Sequence, residues 1–385
     1  MEELDCLELM KQNTSYVAEE KTWYTSLLFK ENPDSLETNL PAARAVLYKI
    51  EDSAIKEGKV DVLNKAYQEM IDGGFAEKVP PEEIDIERGQ GHYLQCHPVY
   101  KENRATMKCR VVMNAAAKSK GGKSLNQYLH QGPCYLEDFI QILLRFRLYF
   151  YCFCSDISSM FLRIKLIHGK DYLRFLWRGC NKKIPPEVWR MISVTFGIVT
   201  SPFQSIYIVK RHAELFEQLY SLANKVIENS LYMDDVASGT FEKSVAIQTV
   251  EEIYKLLLEA NMKSHKYSSN NVEVLSTIPP ECKNPEPTVK ILGVQWNTIE
   301  DCLNFNFTEK MDKDKMDTKR TFLQQAARVF DPCGLIAPIT ATVKILFQQV
   351  WLLKMTWDDV LPAEIQTKWN KWKEEICSIS DMEIQ

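Results

Sequence analysis

The sequence predicts an α+β fold built from antiparallel hairpins and amphipathic helices. Three observations point there. A strand-turn-strand pattern runs over 93–117 around a polar tip at 101–108. The run Tyr149-Phe150-Tyr151-Cys152-Phe153-Cys154 reads as a strand buried on both faces. Other stretches keep their apolar residues at helical spacing, as Ala43, Val46, Leu47, Ile50 and Ala54 do behind Pro41.

Taken in order, residues 22–30 read as a short strand carrying Trp23, Tyr24, Leu27, Leu28 and Phe29. The helix behind Pro41 is followed by a second with Val60, Leu63, Tyr67 and Met70, which stops at Gly73-Gly74. Residues 79–91, with two prolines and two glycines, form a loop. After the 93–117 pair comes a helix at 136–147, with Leu136, Phe139, Ile140, Leu143 and Leu144 on one face. The aromatic strand then ends on Asp156, and an acid there is costly unless paired or metal-bound. Residues 195–203 are a loop feeding a helix, with Ser201 as N-cap and Pro202 at the first helical position. Residues 230–237 make a hairpin, followed by a helix with Ala246, Val250, Ile253, Leu257 and Ala260 on one face. Helices at 318–330, 340–354 and 363–377 close the chain, and Trp351, Trp357, Trp369 and Trp372 are most simply helix-packing residues.

Composition narrows the function classes. The chain has 385 residues, 45% apolar and 26% charged, enough for two or more domains and far from the composition of a disordered protein. The longest apolar run, Leu143 to Cys154, is broken by Arg145 and Arg147, so no membrane partner is expected. Eleven cysteines without a Cys-x-x-Cys argue for a reducing compartment and against a disulfide framework or zinc site. The net charge is −5, yet residues 101–147 carry nine Lys/Arg against three acids. A positive groove in an acidic protein suits a polyphosphate ligand, and a solvated basic loop is the plainer alternative.

The hairpin Ser230-Leu231-Tyr232-Met233-Asp234-Asp235-Val236-Ala237 puts two acids at its tip. Adjacent carboxylates repel, and a hard divalent cation such as Mg²⁺ is the usual remedy, although an exposed Asp-Asp in a turn is common. Phosphoryl transfer needs such carboxylates from separate segments, and Asp156 with Asp234 and Asp235 is such a set if their strands are neighbours.

The order of these parts resembles the palm and fingers of a reverse transcriptase, and most closely that of BEL/Pao-class LTR retrotransposons. The resemblance runs from about residue 22 to the end of the chain. It rests on Cys109-Arg110-Val111-Val112-Met113-Asn114-Ala115, on Thr195-Phe196-Gly197 with Ser201-Pro202-Phe203, on the Tyr-Met-Asp-Asp hairpin followed by Lys266, and on Ala327-Arg328-Val329-Phe330-Asp331-Pro332-Cys333-Gly334-Leu335-Ile336-Ala337-Pro338. Phe196 stands where retroviral enzymes have Gln, a choice that looks usual for BEL/Pao elements, and Asn114 where the family more often has Asp.

The resemblance implies a right-hand polymerase fold with fingers, an antiparallel-sheet palm and a helical thumb or connection. It divides the chain into an acidic extension (1–21), a helical segment leading into the fingers (22–92), fingers and the start of the palm (93–155), palm (156–300) and thumb or connection (301–385), with no ribonuclease H beyond. It implies an RNA- and DNA-directed DNA polymerase that adds deoxynucleotides to a primer 3′-hydroxyl. Two Mg²⁺ ions, replaceable by Mn²⁺, would sit on Asp156, Asp234 and Asp235, with Asp156 and Asp234 bridging both. Arg110 matches the arginine placed on the incoming triphosphate, and Lys101, Arg104 or Lys108 would supply the second cation. Gly197, Tyr232 and Met233 match positions at the bound nucleotide. Lys266, with Lys263 close by, matches the lysine that protonates departing pyrophosphate. Phe161 matches the aromatic gate against a ribose 2′-hydroxyl, and a plain core residue is its alternative. The partners implied are an RNA or DNA template with its primer, deoxynucleoside triphosphates and the remainder of a retroelement polyprotein. The implied location is the cytoplasm, within virus-like particles. A reading from another class is a catalytically inactive retroelement relic that folds and binds nucleic acid.

Overall fold

The computed structural model describes residues 2–102, 107–120, 122–304, 307, 311, 317–379, 383 and 384. It is a mixed α+β structure whose chain divides into two compact units. The first takes in residues 1–136, 157–228 and 253–263, and the second 137–156, 229–252 and 264–385. Both are discontinuous, where the sequence alone suggests contiguous segments.

In the first unit, helices Leu40–Lys56 and Val60–Asp72 pack on a two-stranded hairpin, Gln95–Glu102 with Met107–Asn114. The hairpin is longer than the sequence suggests, and Arg104 lies outside the described residues. Leu63, Ala66 and Tyr67 form the buried face of the second helix, and the Tyr67 ring stacks on Trp177 at 3.7 Å. A three-stranded antiparallel sheet runs in the order Ala76–Lys78, Glu187–Met191, Arg174–Trp177. Two buried arginines brace it. Arg190 donates to Glu77 and Asp171 at 2.7 and 2.9 Å and also to Glu83, and Arg174 donates to Asp171 at 2.7 Å. Helix Ser201–Leu215 begins one residue earlier than the sequence suggests. Its N-cap is Thr200, and the Ser201 hydroxyl donates instead to the Thr195 carbonyl at 2.6 Å.

In the second unit, a four-stranded sheet has the order Leu231–Tyr232, Asp235–Thr240, Tyr151–Ser158, Lys263–Ser269. Tyr151–Ser158 is an interior strand and its residues 152–155 are buried, as the apolar run predicts. Phe150, just before it, is 73% exposed, so the aromatic run overstates the buried length. Helix Phe139–Leu148, capped by Asp138, lies against the sheet through Ile142, Leu143 and Phe146. Ile140 and Leu144 of the expected face are exposed. The core continues into strands Thr288–Ile291, Val294–Asn297 and Cys302–Asn304, where Trp296 meets Phe146 edge-on at 4.8 Å. Asp301 ties these parts together. It accepts from Arg147 at 2.7 Å, from the Trp296 indole at 2.9 Å and from Asn270 at 3.1 Å. Asn270 in turn accepts from the Cys152 amide at 2.9 Å and so anchors the interior strand.

Helices Lys319–Ala326, Ala337–Leu352 and Ala363–Ser378 build a separate apolar cluster. Trp369 and Trp372 are buried in it and stacked at 5.0 Å, as expected. Trp351 and Trp357 are not packing residues of this kind, being 55% and 40% exposed. Inside the cluster the wholly buried Asp317 carboxylate accepts from Lys373 at 2.9 Å, Trp369 at 2.8 Å and Gln325 at 2.7 Å. Removing one partner of a buried ion pair leaves the other charge without compensation. Lys373→Met should therefore destabilise the cluster by about 3–5 kcal/mol, seen as a lower urea midpoint by tryptophan fluorescence. A loss below about 1 kcal/mol would show that the carboxylate is held well enough by its neutral donors.

Candidate active site

The site begins with strand register. Asp235–Thr240 pairs antiparallel with Tyr151–Ser158, and Asp235 lies directly opposite Asp156. Asp156 is the sixth residue of an eight-residue strand rather than its end. On the other side Tyr232 pairs with Asp235, leaving Met233 and Asp234 as a two-residue turn. Only Asp234 is at the tip, because Asp235 is already the first residue of its strand. A tight hairpin turn favours a positive φ at its first central residue, and Met233 takes φ +53° without being glycine. That strained residue sits between the tyrosine and the acids, as backbone strain often does at functional sites.

Like charges directly across a strand pair are destabilising. The Asp235 carboxyl is accordingly pushed up to about 7, first by burial, then by Asp234 and Asp156, with Lys266 pulling the other way. Asp156 is held on three sides. Lys266 Nζ donates to its Oδ2 at 2.9 Å, and His265 Nδ1 lies 3.2 Å from Oδ1 and 3.0 Å from the backbone carbonyl. Both of those partners of His265 accept, so Nδ1 carries the hydrogen. Sequence reasoning selected Lys266 and missed His265, whose one signal is its place beside that lysine.

Crowded carboxylates with no soft ligand among them are the donor set a hard divalent cation takes. Asp156, Asp234 and Asp235 therefore fit the expected Mg²⁺ in chemistry. In geometry, the described residues contain no group of three or more His, Cys, Asp or Glu arranged to hold a metal as it stands.

Tyr232 and Met233 belong to this carboxylate hairpin, and the Tyr232 ring meets Phe139 edge-on at 5.9 Å. The remaining expected nucleotide residues lie in the first unit. Lys108 and Arg110 are exposed on the strand Met107–Asn114, with Lys101 paired across from Lys108. The far end of that strand touches the glycine loop. Gly197 has φ +94°, and a Cβ there would fall 1.7 Å from the Met113 carbonyl oxygen, so only glycine fits. Asn126, unremarked in the sequence, clamps the loop by donating to the Gly197 carbonyl at 3.1 Å and accepting from the Val199 amide at 3.0 Å. Phe161 lies in a short turn, Phe161–Arg163, only 7% exposed, with its ring 4.9 Å from that of Phe196. Phe196, noted only as a departure from the retroviral pattern, is thus the backing for Phe161.

Known proteins resemble this chain in two respects. Residues 318–385 match the family model described as the Pao retrotransposon-like RNaseH-like domain. That match speaks for this stretch alone, and its description is of an RNaseH-like domain where a thumb or connection with no ribonuclease H is expected. The fold as a whole is similar to that of a solved foamy viral protease-reverse transcriptase in complex with double-stranded DNA. The TM-score is 0.56 at 15% identity, over 84% of this chain and 49% of that one. At this identity the likeness is one of fold, and the chain spans about half the length of that structure. No curated protein matches the chain.

The raised Asp235 carboxyl has a consequence for stability. The folded state binds this proton more tightly than the unfolded chain does. The contribution to stability is complete below the ordinary aspartate value near 4 and is lost as the pH rises through about 7. Asp235→Asn removes the charge and keeps the shape. Without divalent cations it should be more stable than the parent at pH 8, by up to roughly 4 kcal/mol, and about equal at pH 4. A variant no more stable than the parent at pH 8 would contradict the raised Asp235 carboxyl.

Proposed function

We propose that the chain is the polymerase part of a retroelement polyprotein, an RNA- and DNA-directed DNA polymerase acting on a primed template. The observation that carries this reading is Asp156 directly opposite Asp235 on neighbouring strands, with Asp234 in the adjoining turn. On this reading the carboxylate sheet is the palm, the hairpin carrying Arg110 the fingers, and the helices after residue 317 the thumb or connection. The polyprotein assignment draws on the Pao match over residues 318–385 and on the likeness of fold to a protease-reverse transcriptase. Its place of action would be the cytoplasm, within virus-like particles.

Asp156, Asp234 and Asp235 would hold Mg²⁺, which when bound offsets charge on the attacking 3′-oxygen and the leaving pyrophosphate. The protein's own share is positioning and charge. Arg110 offers a planar fork suited to bidentate contact with the triphosphate, and Lys108 or Lys101 beside it adds a point charge. Gly197 lets the loop backbone lie flat against the strand of Arg110. Phe161, backed by Phe196, is the candidate gate against a ribose 2′-hydroxyl. Lys266 is the candidate for returning a proton to pyrophosphate.

The reading is tested by primer extension on an RNA template. Asp156→Asn or Asp234→Asn should abolish extension while primer-template affinity stays within a few-fold, since phosphates are held mainly by Lys and Arg. Near-normal extension by either variant would remove that residue from the catalytic set.

Phe161 makes a separate claim about sugar selection. Phe161→Val should raise ribonucleotide relative to deoxynucleotide incorporation by at least ~10-fold, because about 1.4 kcal/mol of relieved clash is a factor of ten. It should also cost roughly 1–3 kcal/mol of stability through the packing lost against Phe196. The ratio of kcat/KM for the two sugars decides. An unchanged ratio in a folded, active variant would leave Phe161 as a core residue only.

A further inference from the structure

We propose that Lys266 is a built-in counter-ion for Asp156, a carboxylate also held by His265, and that it must leave that carboxylate before a divalent cation can bind there. The inference rests on the polymerase reading for the identity of the cation site.

Backbone geometry is its starting point. Successive side chains on a strand point to opposite faces, so His265 and Lys266 should not reach the same neighbour. Here Lys266 has φ +56°, in the left-handed region where a Cβ is disfavoured. The break shows in burial. Ser264 and Tyr267 are buried, while the residues between them, His265 and Lys266, are half-buried and exposed. Both side chains consequently converge on Asp156. Lys266 Nζ takes Oδ2 at 2.9 Å, and His265 Nδ1–H spans Oδ1 and the Asp156 carbonyl at 3.2 and 3.0 Å. An unfavourable backbone conformation that delivers two donors to one carboxylate serves that carboxylate.

The two donors are not equivalent. A carboxylate oxygen has two lone pairs, so His265 on Oδ1 can stay while that oxygen also ligates a cation. An ammonium on Oδ2 places a full positive charge where the cation's own charge must go, and the two repel. Lys266 is free to swing away. Its side chain is 59% exposed and ends a flexible four-carbon stem, so departure unpacks nothing. Asp156 faces its lysine. Cation binding would turn it toward Asp235 and release the Lys266 ammonium. Lys266 is on this account a positioning residue acting through Asp156, whatever part it later takes in catalysis.

The test is binding of Mn²⁺ alone to the full chain, by titration calorimetry and by paramagnetic resonance of free Mn²⁺. Lys266→Asn removes the charge with a residue that tolerates positive φ, and Lys266→Gly relieves the φ altogether, which guards against a folding defect in either one. Both should bind Mn²⁺ at least about 10-fold more tightly than the parent, the gain expected when a like charge leaves the site. Lys266→Arg, which keeps the charge, should stay near the parent. Without metal the Asn variant should melt lower than the parent, and Mn²⁺ should raise its melting temperature by more. If the parent binds Mn²⁺, Asp156→Asn does not, and the Lys266 variants bind no more tightly than the parent, the counter-ion role is overturned while the cation site stands. If Asp156→Asn binds as the parent does, or no protein binds, the cation site itself fails and the counter-ion falls with it.

Discussion

Two carboxylates held directly opposite each other on neighbouring strands set the terms for the second unit. Asp156 and Asp235 are fixed in that register by a strand whose residues 152–155 are buried, so a slip would move Cys152, Phe153 and Cys154 to the opposite faces of the sheet from those they pack on. The far end of the interior strand is anchored separately. Asp301 gathers Arg147, Trp296 and Asn270, and Asn270 holds the start of the same strand. Two non-glycine residues near the pair, Met233 and Lys266, take left-handed backbone conformations. The Asp235 carboxyl is raised first by its burial and then by Asp234 and Asp156.

The first unit is organised by a different constraint, the close approach of backbone to backbone at Gly197. Its contact with Met113 joins the loop before helix Ser201–Leu215 to the strand that bears Lys108 and Arg110, and Asn126 fastens the loop from the other side. Phe196, next to that glycine, then has a fixed place from which to support Phe161. One permissive residue thus aligns three of the features on which nucleotide binding is proposed to depend.

Much of this was legible in the sequence because it is written in local pattern. The buried strand, the acid near its end, the two-acid hairpin and the helix after Ser201-Pro202 follow from apolar runs and turn residues. The errors fall where tertiary context decides. Helical spacing cannot tell Trp369 and Trp372, which face Asp317 and its neighbours, from Trp351 and Trp357, which face solvent. The face of helix Phe139–Leu148 was misjudged because Ile140 and Leu144 are as apolar as Ile142 and Phe146, and only the sheet beneath chooses between them. His265 was invisible because its role depends on a left-handed backbone at the next residue, which no spacing rule anticipates for lysine. Asn126 acts across seventy-one residues of chain.

The claim on which the account turns is that the paired aspartates are a divalent-cation site that Lys266 guards. Anomalous diffraction at the manganese edge, from crystals of the chain soaked in Mn²⁺, addresses it most directly. The account predicts a peak about 2.0–2.3 Å from oxygens of Asp156 and of the Asp234–Asp235 hairpin, with the Lys266 ammonium moved off Oδ2. No peak at saturating Mn²⁺, with Lys266 still 2.9 Å from Asp156, would contradict it.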